Sequence, residues 1–153
     1  MVTLRPMTEE EFAAFKAKTY EDYAEERASV EGADVERERE NARKQIDDLM
    51  VDGLRSEVHH YWKAVAPGDG VVGELWVFVD DAQKRAFIYF IGTDEAYRGK
   101  GYGQQTLEAL EAAMRPLGVR HIALNVFGAN TTARRLYERM GYQPQAILMS
   151  KSL

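Results

Sequence analysis

The chain has 153 residues, a formal net charge of −5 and no cysteine, so disulfides, thiolate metal sites and cysteine nucleophiles are excluded. A single domain spanning 1–153 is expected, long enough to bury roughly 70% of its unfolded-chain surface. Residues 1–57 carry 16 acidic and 9 basic side chains and the remainder 9 acidic and 11 basic, a split without the broad basic face of a nucleic-acid binder.

The opening Val2-Thr3-Leu4-Arg5 alternates with period two and predicts a short strand. Thr8 and Glu11 then have capping-box spacing, with Met7 and Phe12 at the positions of a hydrophobic staple. Phe12, Phe15, Thr19 and Tyr23 line one face of the helix that follows. Gly32-Ala33 breaks it, and Asp34 caps a second helix to about Val51. Ala42, Ile46, Leu49 and Met50 are its buried stripe, and Glu40 and Lys44 are a favourable pair one turn apart.

Strands at 60–65 and 71–79 flank the turn cluster Pro67-Gly68-Asp69-Gly70, and a third strand of the meander runs from Ala86 to Thr93. A helix from about Gly101 to Arg115 stops before Pro116. Val119 to Phe127 predicts a strand, and Asn130 caps a helix bearing Ala133, Leu136, Tyr137 and Met140, with Gly141 at its C-terminal cap. The segment 142–153 has room for one or two short strands. No apolar run approaches the ~20 residues of a membrane span, and no leader pattern opens the chain. A cytoplasmic protein is therefore expected, with neither nucleic acid nor membrane as partner.

Arg98-Gly99-Lys100-Gly101-Tyr102-Gly103, followed by Gln104, lies between a strand and a helix. Glycines at alternate positions let backbone N–H groups approach a ligand, and the free donors of a helix start add to them. Arg98 and Lys100 contribute full positive charge, so a pyrophosphate is the expected guest. The dinucleotide fingerprint requires glycine where Gln104 stands, and the triphosphate loop's Gly-Lys-Ser/Thr is absent. A Gly-rich connection with two surface cations is the plainer alternative.

Arg98-x-x-Gly101-x-Gly103 resembles the acyl-CoA signature of the GNAT superfamily of N-acetyltransferases. Ile122-x-Leu124-x-Val126, Asn130, Ala133, Leu136-Tyr137-Glu138 and Gly141-Tyr142 resemble the family's later strand–helix–strand block. The likeness covers about Ala86 to Tyr142. It implies a mixed α/β fold whose mostly antiparallel sheet splays between strands four and five and is flanked by helices.

The resemblance further implies acetyl-CoA as cosubstrate, with a primary amine of a small molecule or peptide as acceptor. Ile91, Gly92 and Thr93 would pair with the pantetheine arm, with Gly92 at a bulge. Arg98, Gly99, Lys100, Gly101, Tyr102, Gly103 and Gln104 would hold the pyrophosphate, Asn130 would touch the cofactor, and Tyr137 would be the general acid. The family often has valine and proline where Thr93 and Glu95 stand. Phe87 occupies the place of a basic carboxylate in some members.

Glu74 interrupts an apolar strand and is the best carboxylate for a general base; a cation's partner is the alternative. Asn125 interrupts the fifth strand and is placed to hydrogen-bond cofactor or substrate, or else lies on an edge. Tyr20, Asp22, Tyr23 and Glu26 are candidates for the substrate mouth, where carboxylates and aromatic faces attract an ammonium group; a plain helix surface is the alternative. His59, His60 and His121 lack metal-ligand spacing, and no metal is expected. A non-catalytic acyl-CoA-binding module, or an enzyme with another acyl donor or acceptor, remains open at this stage, as does a homodimer.

Overall fold

The computed structural model describes residues 1–30 and 32–153. Five strands form one sheet: β1 (Thr3–Pro6), β2 (His59–Ala66), β3 (Gly70–Asp80), β4 (Arg85–Thr93) and β5 (His121–Leu124), in sequential order. All neighbours are antiparallel except β4 and β5, which are parallel. Four helices flank the sheet: α1 (Glu9–Ala28), α2 (Val35–Leu49), α3 (Tyr102–Met114) and α4 (Thr131–Arg139). This is the mixed, mostly antiparallel architecture implied by the resemblance.

Local chemistry fixes where α1 and α2 start. Thr8 Oγ1 accepts from the Glu11 N–H, and the Glu11 carboxylate accepts from the Thr8 N–H. The Arg5 guanidinium grips the same carboxylate with two contacts of 2.9 Å. Asp34 accepts from the Arg37 N–H and so caps α2. The helices are joined by Arg27, which donates to Glu38 at 2.8 Å and to Gln45 at 2.7 Å. Glu40 and Lys44 make no ion pair among the described residues; charges on α2 pair across to α1 instead.

Period-two alternation divides the core between two faces. Leu75, Val77, Val79 and Ile88 meet Leu107, Leu110 and Met114 of α3. Tyr61 and Trp76 meet Phe12, Phe15, Ile46 and Met50 from the α1–α2 side. Trp76 stacks on Tyr89 at 4.6 Å, and its indole N–H donates to His59 Nδ1 at 3.0 Å.

Two expectations fail in the last third of the chain. β5 pairs only over His121–Leu124, four residues rather than nine, and the chain beyond it is exposed. The segment 143–153 contains no strand. Its apolar residues have the composition of a strand, but no strand pairs with them among the described residues.

Candidate functional site

The site begins where β4 and β5 part. Their pairing ends at Ile88 and Leu124, while β4 continues through Tyr89–Thr93 with no strand on that side among the described residues. The cause is a bulge: Trp76 opposes Phe90 and Val77 opposes Ile88, so Tyr89 is an extra residue on β4. An extra residue bends its strand and breaks the ladder. The bulge is thus at Tyr89 and not at Gly92, which pairs regularly with Glu74.

Gly92 is needed for another reason: a Cβ there would come within 2.8 Å of the Phe90 ring. Across the ladder, a Cβ on Gly73 would fall 2.3 Å from the Gly92 carbonyl oxygen. Gly73 thus allows β3 and β4 to close on each other beside the open edge, while Gly92 leaves room for the Phe90 ring of its own strand.

Hydrogen-bond phase determines which backbone groups face the gap. The Asp94 N–H donates to the Val72 carbonyl at 2.8 Å. Residues exchanging such bonds alternate along an antiparallel ladder, so Gly92 turns its polar groups toward Glu74. Ile91 and Thr93 turn theirs outward. The Arg98 Nε–H donates to the Thr93 carbonyl from that side at 3.2 Å.

The open edge leads into the glycine turn. Gly99 and Gly101 have φ of +79° and +83°, values that favour glycine. α3 has no side-chain cap, and its first N–H groups lack intrahelical acceptors by geometry. Residues 99–104 therefore present a run of donors. Lys100 Nζ lies 3.9 Å from Asp69 and 5.6 Å from the Tyr97 ring centre. The Tyr102 hydroxyl donates to Asp69, so this side chain braces the turn while its N–H stays on the donor face.

α4 closes the far side. Asn130 Oδ1 accepts from the Ala133 N–H at 3.3 Å. The helix ends with the Tyr142 N–H on the Tyr137 carbonyl and the Gly141 N–H on the Glu138 carbonyl, the two bonds of a Schellman motif. The Tyr137 and Tyr142 rings meet edge to face at 5.8 Å. A Cβ on Gly103 would sit 3.1 Å from Leu136 Cδ2, so glycine there lets α4 approach α3.

Comparison with known proteins decides what this arrangement belongs to. The Acetyltransferase (GNAT) family profile matches residues 16–142. The uncharacterized N-acetyltransferase YycN of Bacillus subtilis (strain 168) is 40% identical over 155 residues, 99% of each chain. The chain belongs to the GNAT acetyltransferase family. A second Bacillus subtilis (strain 168) protein, the uncharacterized N-acetyltransferase YdgE, is 38% identical over 99% of this chain and 98% of its own. The crystal structure of YycN superposes with a TM-score of 0.92 at 39% identity, covering 100% of this chain and 99% of that one.

Within this GNAT enzyme, Tyr137 is half-buried, and burial raises its phenol pKa above the ordinary tyrosine value. Its hydroxyl makes no hydrogen bond to the described residues. The hydroxyl of neighbouring Tyr142 is buried with no partner among the described residues, and its pKa is pushed up to about 12 by burial first, then by Glu111 and Tyr137.

Glu74 is buried on the α1–α2 face between two ammonium groups. Lys63 donates to Oε2 at 2.9 Å and Lys18 to Oε1 at 3.5 Å. Both oxygens are therefore engaged, and Lys18 also lies 5.4 Å from the Phe90 ring centre.

The remaining substrate candidates separate. Tyr23 is half-buried beside Tyr89 and Glu26, and its phenol is pushed up to about 12 by burial, then by Glu26 and Tyr89. The Glu26 carboxyl is raised by burial and then by Asp22. Tyr20 instead faces α2, donating to Asp47 with Arg43 5.0 Å from its ring centre. Asn125 follows the last residue of β5 and is exposed at the fork.

Sequence reasoning missed Tyr89, Lys18 and Lys63. Lys63 was accessible in principle as the cross-strand partner of Glu74, but that needs the register. Nothing in an apolar strand marks Tyr89 as the bulged residue. Among the described residues, no group of three or more His, Asp or Glu side chains is placed to hold a metal.

Proposed function

We propose that this acetyltransferase moves the acetyl group of acetyl-CoA to a primary amine on a small molecule or peptide, with Tyr137 as general acid. The reading rests chiefly on the unpaired edge of β4, where the outward backbone groups of Ile91 and Thr93 lead directly into an uncapped helix start. A chain of amides followed by a pyrophosphate matches that sequence of partners: strand-like pairing first, then a run of N–H donors with Arg98 and Lys100. Gly99, Gly101 and Gly103 keep the approach clear of Cβ atoms.

Acetyl-CoA supplies an activated thioester, and the chain's residues do the rest. Outward N–H groups on the β4 edge polarise the thioester carbonyl. Tyr137, neutral at working pH, gives its proton to the departing sulfur. Glu74 acts here as the anchor of Lys18 and Lys63 rather than as a free base, because both of its oxygens already accept from ammonium groups. The amine proton is then left to water or to the acceptor mouth. Tyr23, Tyr89 and Glu26 form that mouth, Asn125 at the end of β5 reaches cofactor or acceptor, and Asn130 at the start of α4 touches the cofactor. The Glu26 carboxylate and the aromatic faces favour a cationic acceptor; Tyr20 serves the helix pair.

Pools of amines offered with acetyl-CoA, and with longer acyl-CoAs in parallel, test the reading through release of free thiol. Amine-dependent thiol release with acetyl-CoA is expected. Release only with another acyl-CoA, or only with a hydroxyl acceptor, would replace it.

A further inference from the structure

Ring contacts trace the path of α1 across the sheet. Phe12 meets Tyr61 of β2 at 4.7 Å between ring centres, and Phe15 meets Trp76 of β3 at 6.3 Å and Phe90 of β4 at 5.5 Å. Further along the helix, Tyr23 lies beside Tyr89. The second half of α1 therefore lies over the length of β4 that β5 leaves unpaired. The bulge adds to this meeting, because Tyr89 and Phe90, though adjacent in sequence, both pack on the α1–α2 side.

Lys18 and Glu26 stand on one side of this helix, two turns apart and roughly 12 Å along its axis. Their charges are opposite, and neither is fully met. Buried Glu74 accepts from Lys63 at 2.9 Å and from Lys18 at 3.5 Å. One carboxylate between two ammonium groups leaves a positive charge over. Lys63 has the shorter contact and a side chain only 15% exposed, so it is the cation matched to Glu74. Lys18 has the longer contact, is 54% exposed, and sits 5.4 Å from the Phe90 ring centre. An ammonium has three donors, and Glu74 takes one from Lys18. At the other end, Glu26 has Asp22 as a charged neighbour, and neither makes an ion pair among the described residues.

We infer that the acceptor is a small amino carboxylate, with its amine at Tyr23 and Glu26 over the fork and its carboxylate on the Lys18 ammonium. The inference rests on the acetyl-transfer reading above and adds the anionic half of the acceptor. A diamine would set a second cation against Lys18, whose only carboxylate is already shared with Lys63. A carboxylate supplies the charge that the two lysines and Glu74 lack together. The Phe90 ring keeps water from one side of that contact, which strengthens it. Glu74 is then a positioning residue that fixes the Lys18 ammonium beside Phe90. The carboxylate contact is present before and during transfer, so it lowers the acceptor KM and leaves kcat nearly alone.

Thiol release from acetyl-CoA, measured with acceptors matched except for a carboxylate, tests the inference: lysine against cadaverine, phenylalanine against phenylethylamine, tyrosine against tyramine. The parent is expected to favour the carboxylate partner by about tenfold or more in kcat/KM, the size of a charge-assisted contact, with the difference in KM. A carboxylate also changes the basicity of its own amine, so the ratio is compared in two variants. In Lys18→Met it should fall about tenfold, and in Lys18→Arg, which keeps the cation, it should be largely retained. Circular dichroism reports the fold. A parent that takes both partners alike or prefers the decarboxylated one overturns the inference while amine acetylation stands, as does a folded Lys18→Met with the parent ratio. Thiol release with neither partner overturns the amine reading itself and this inference with it. If Lys18→Met does not fold, salt decides: a parent ratio that falls as salt rises supports the contact, and a flat ratio refutes it.

Discussion

Replacing Tyr137 with phenylalanine removes one oxygen from the site and little else. That hydroxyl makes no hydrogen bond to the described residues, and the ring it leaves still meets Tyr142 edge to face at 5.8 Å. Stability should therefore stay within about 0.5 kcal/mol of the parent, as for substitutions that touch no buried network. Turnover should fall much further, because a positioned general acid contributes about 10²–10⁴-fold. At least a tenfold loss is expected even if water partly replaces it.

The pH profile adds a second check. Burial raises the Tyr137 pKa, so the group remains protonated through neutrality and stops donating only above the ordinary tyrosine range, near ~10. The alkaline fall in parent activity should lie above that range and disappear in Tyr137→Phe. Stopped-time thiol release gives turnover, and calorimetric titration gives CoA affinity, which should be unchanged. Equal turnover in the two proteins would remove Tyr137 as the acid; a large loss of CoA affinity would make it a binding residue.

Other substitutions test the parts that hold the cosubstrate. Gly73→Ala places a methyl 2.3 Å from the Gly92 carbonyl oxygen, so β4 must shift. Overpacking of this kind costs about 1–3 kcal/mol, roughly 3–10 °C in Tm for a domain this size, and CoA affinity should fall with it; unchanged Tm and affinity would contradict the close-approach argument. Arg98→Ala should weaken CoA by about 1–2 kcal/mol, roughly 5–30-fold in Kd, and an unchanged Kd would turn the guanidinium away from the pyrophosphate. The Glu11 carboxyl is lowered from 4.5 to about 2, chiefly by Arg5 and then by the Thr8 N–H. A depressed carboxyl gives stability present above its unfolded pKa and lost as pH falls through the window from about 4.5 to about 2. Glu11→Gln should flatten that part of the pH–Tm curve by a small amount, since the pair is partly solvated; an identical curve would mean the capping carboxylate contributes nothing.

Much of the fold was legible because its signals are local. Thr8 with Glu11, Asp34, Asn130 and Gly141 all cap the helices they were expected to cap, since capping needs only neighbours within a turn. The strands of the meander fall within a residue or two for the same reason: alternation and turn residues adjoin them. The failures are non-local. The bulge at Tyr89 depends on how β4 lies against β3, and Gly92 drew attention only because glycine tolerates bulges. The length of β5 depends on where β4 bends away, which the apolar run Val119 to Phe127 does not record. Tyr20 and Tyr23 sit on one helix with similar composition around them, and only the position of α2 separates them. Glu74 was visible as an odd residue in an apolar strand, but its two lysines come from β2 and α1.

On the proposed function, the β4 edge and the glycine turn hold CoA through particular backbone groups. Residue-resolved amide hydrogen exchange with and without CoA tests it most directly. The N–H groups of Ile91 and Thr93 and of residues 99–104 should slow on binding, while that of Gly92, already directed at Glu74, should change little. Protection at Gly92 in place of Ile91 and Thr93, or no protection along the turn, would contradict the account.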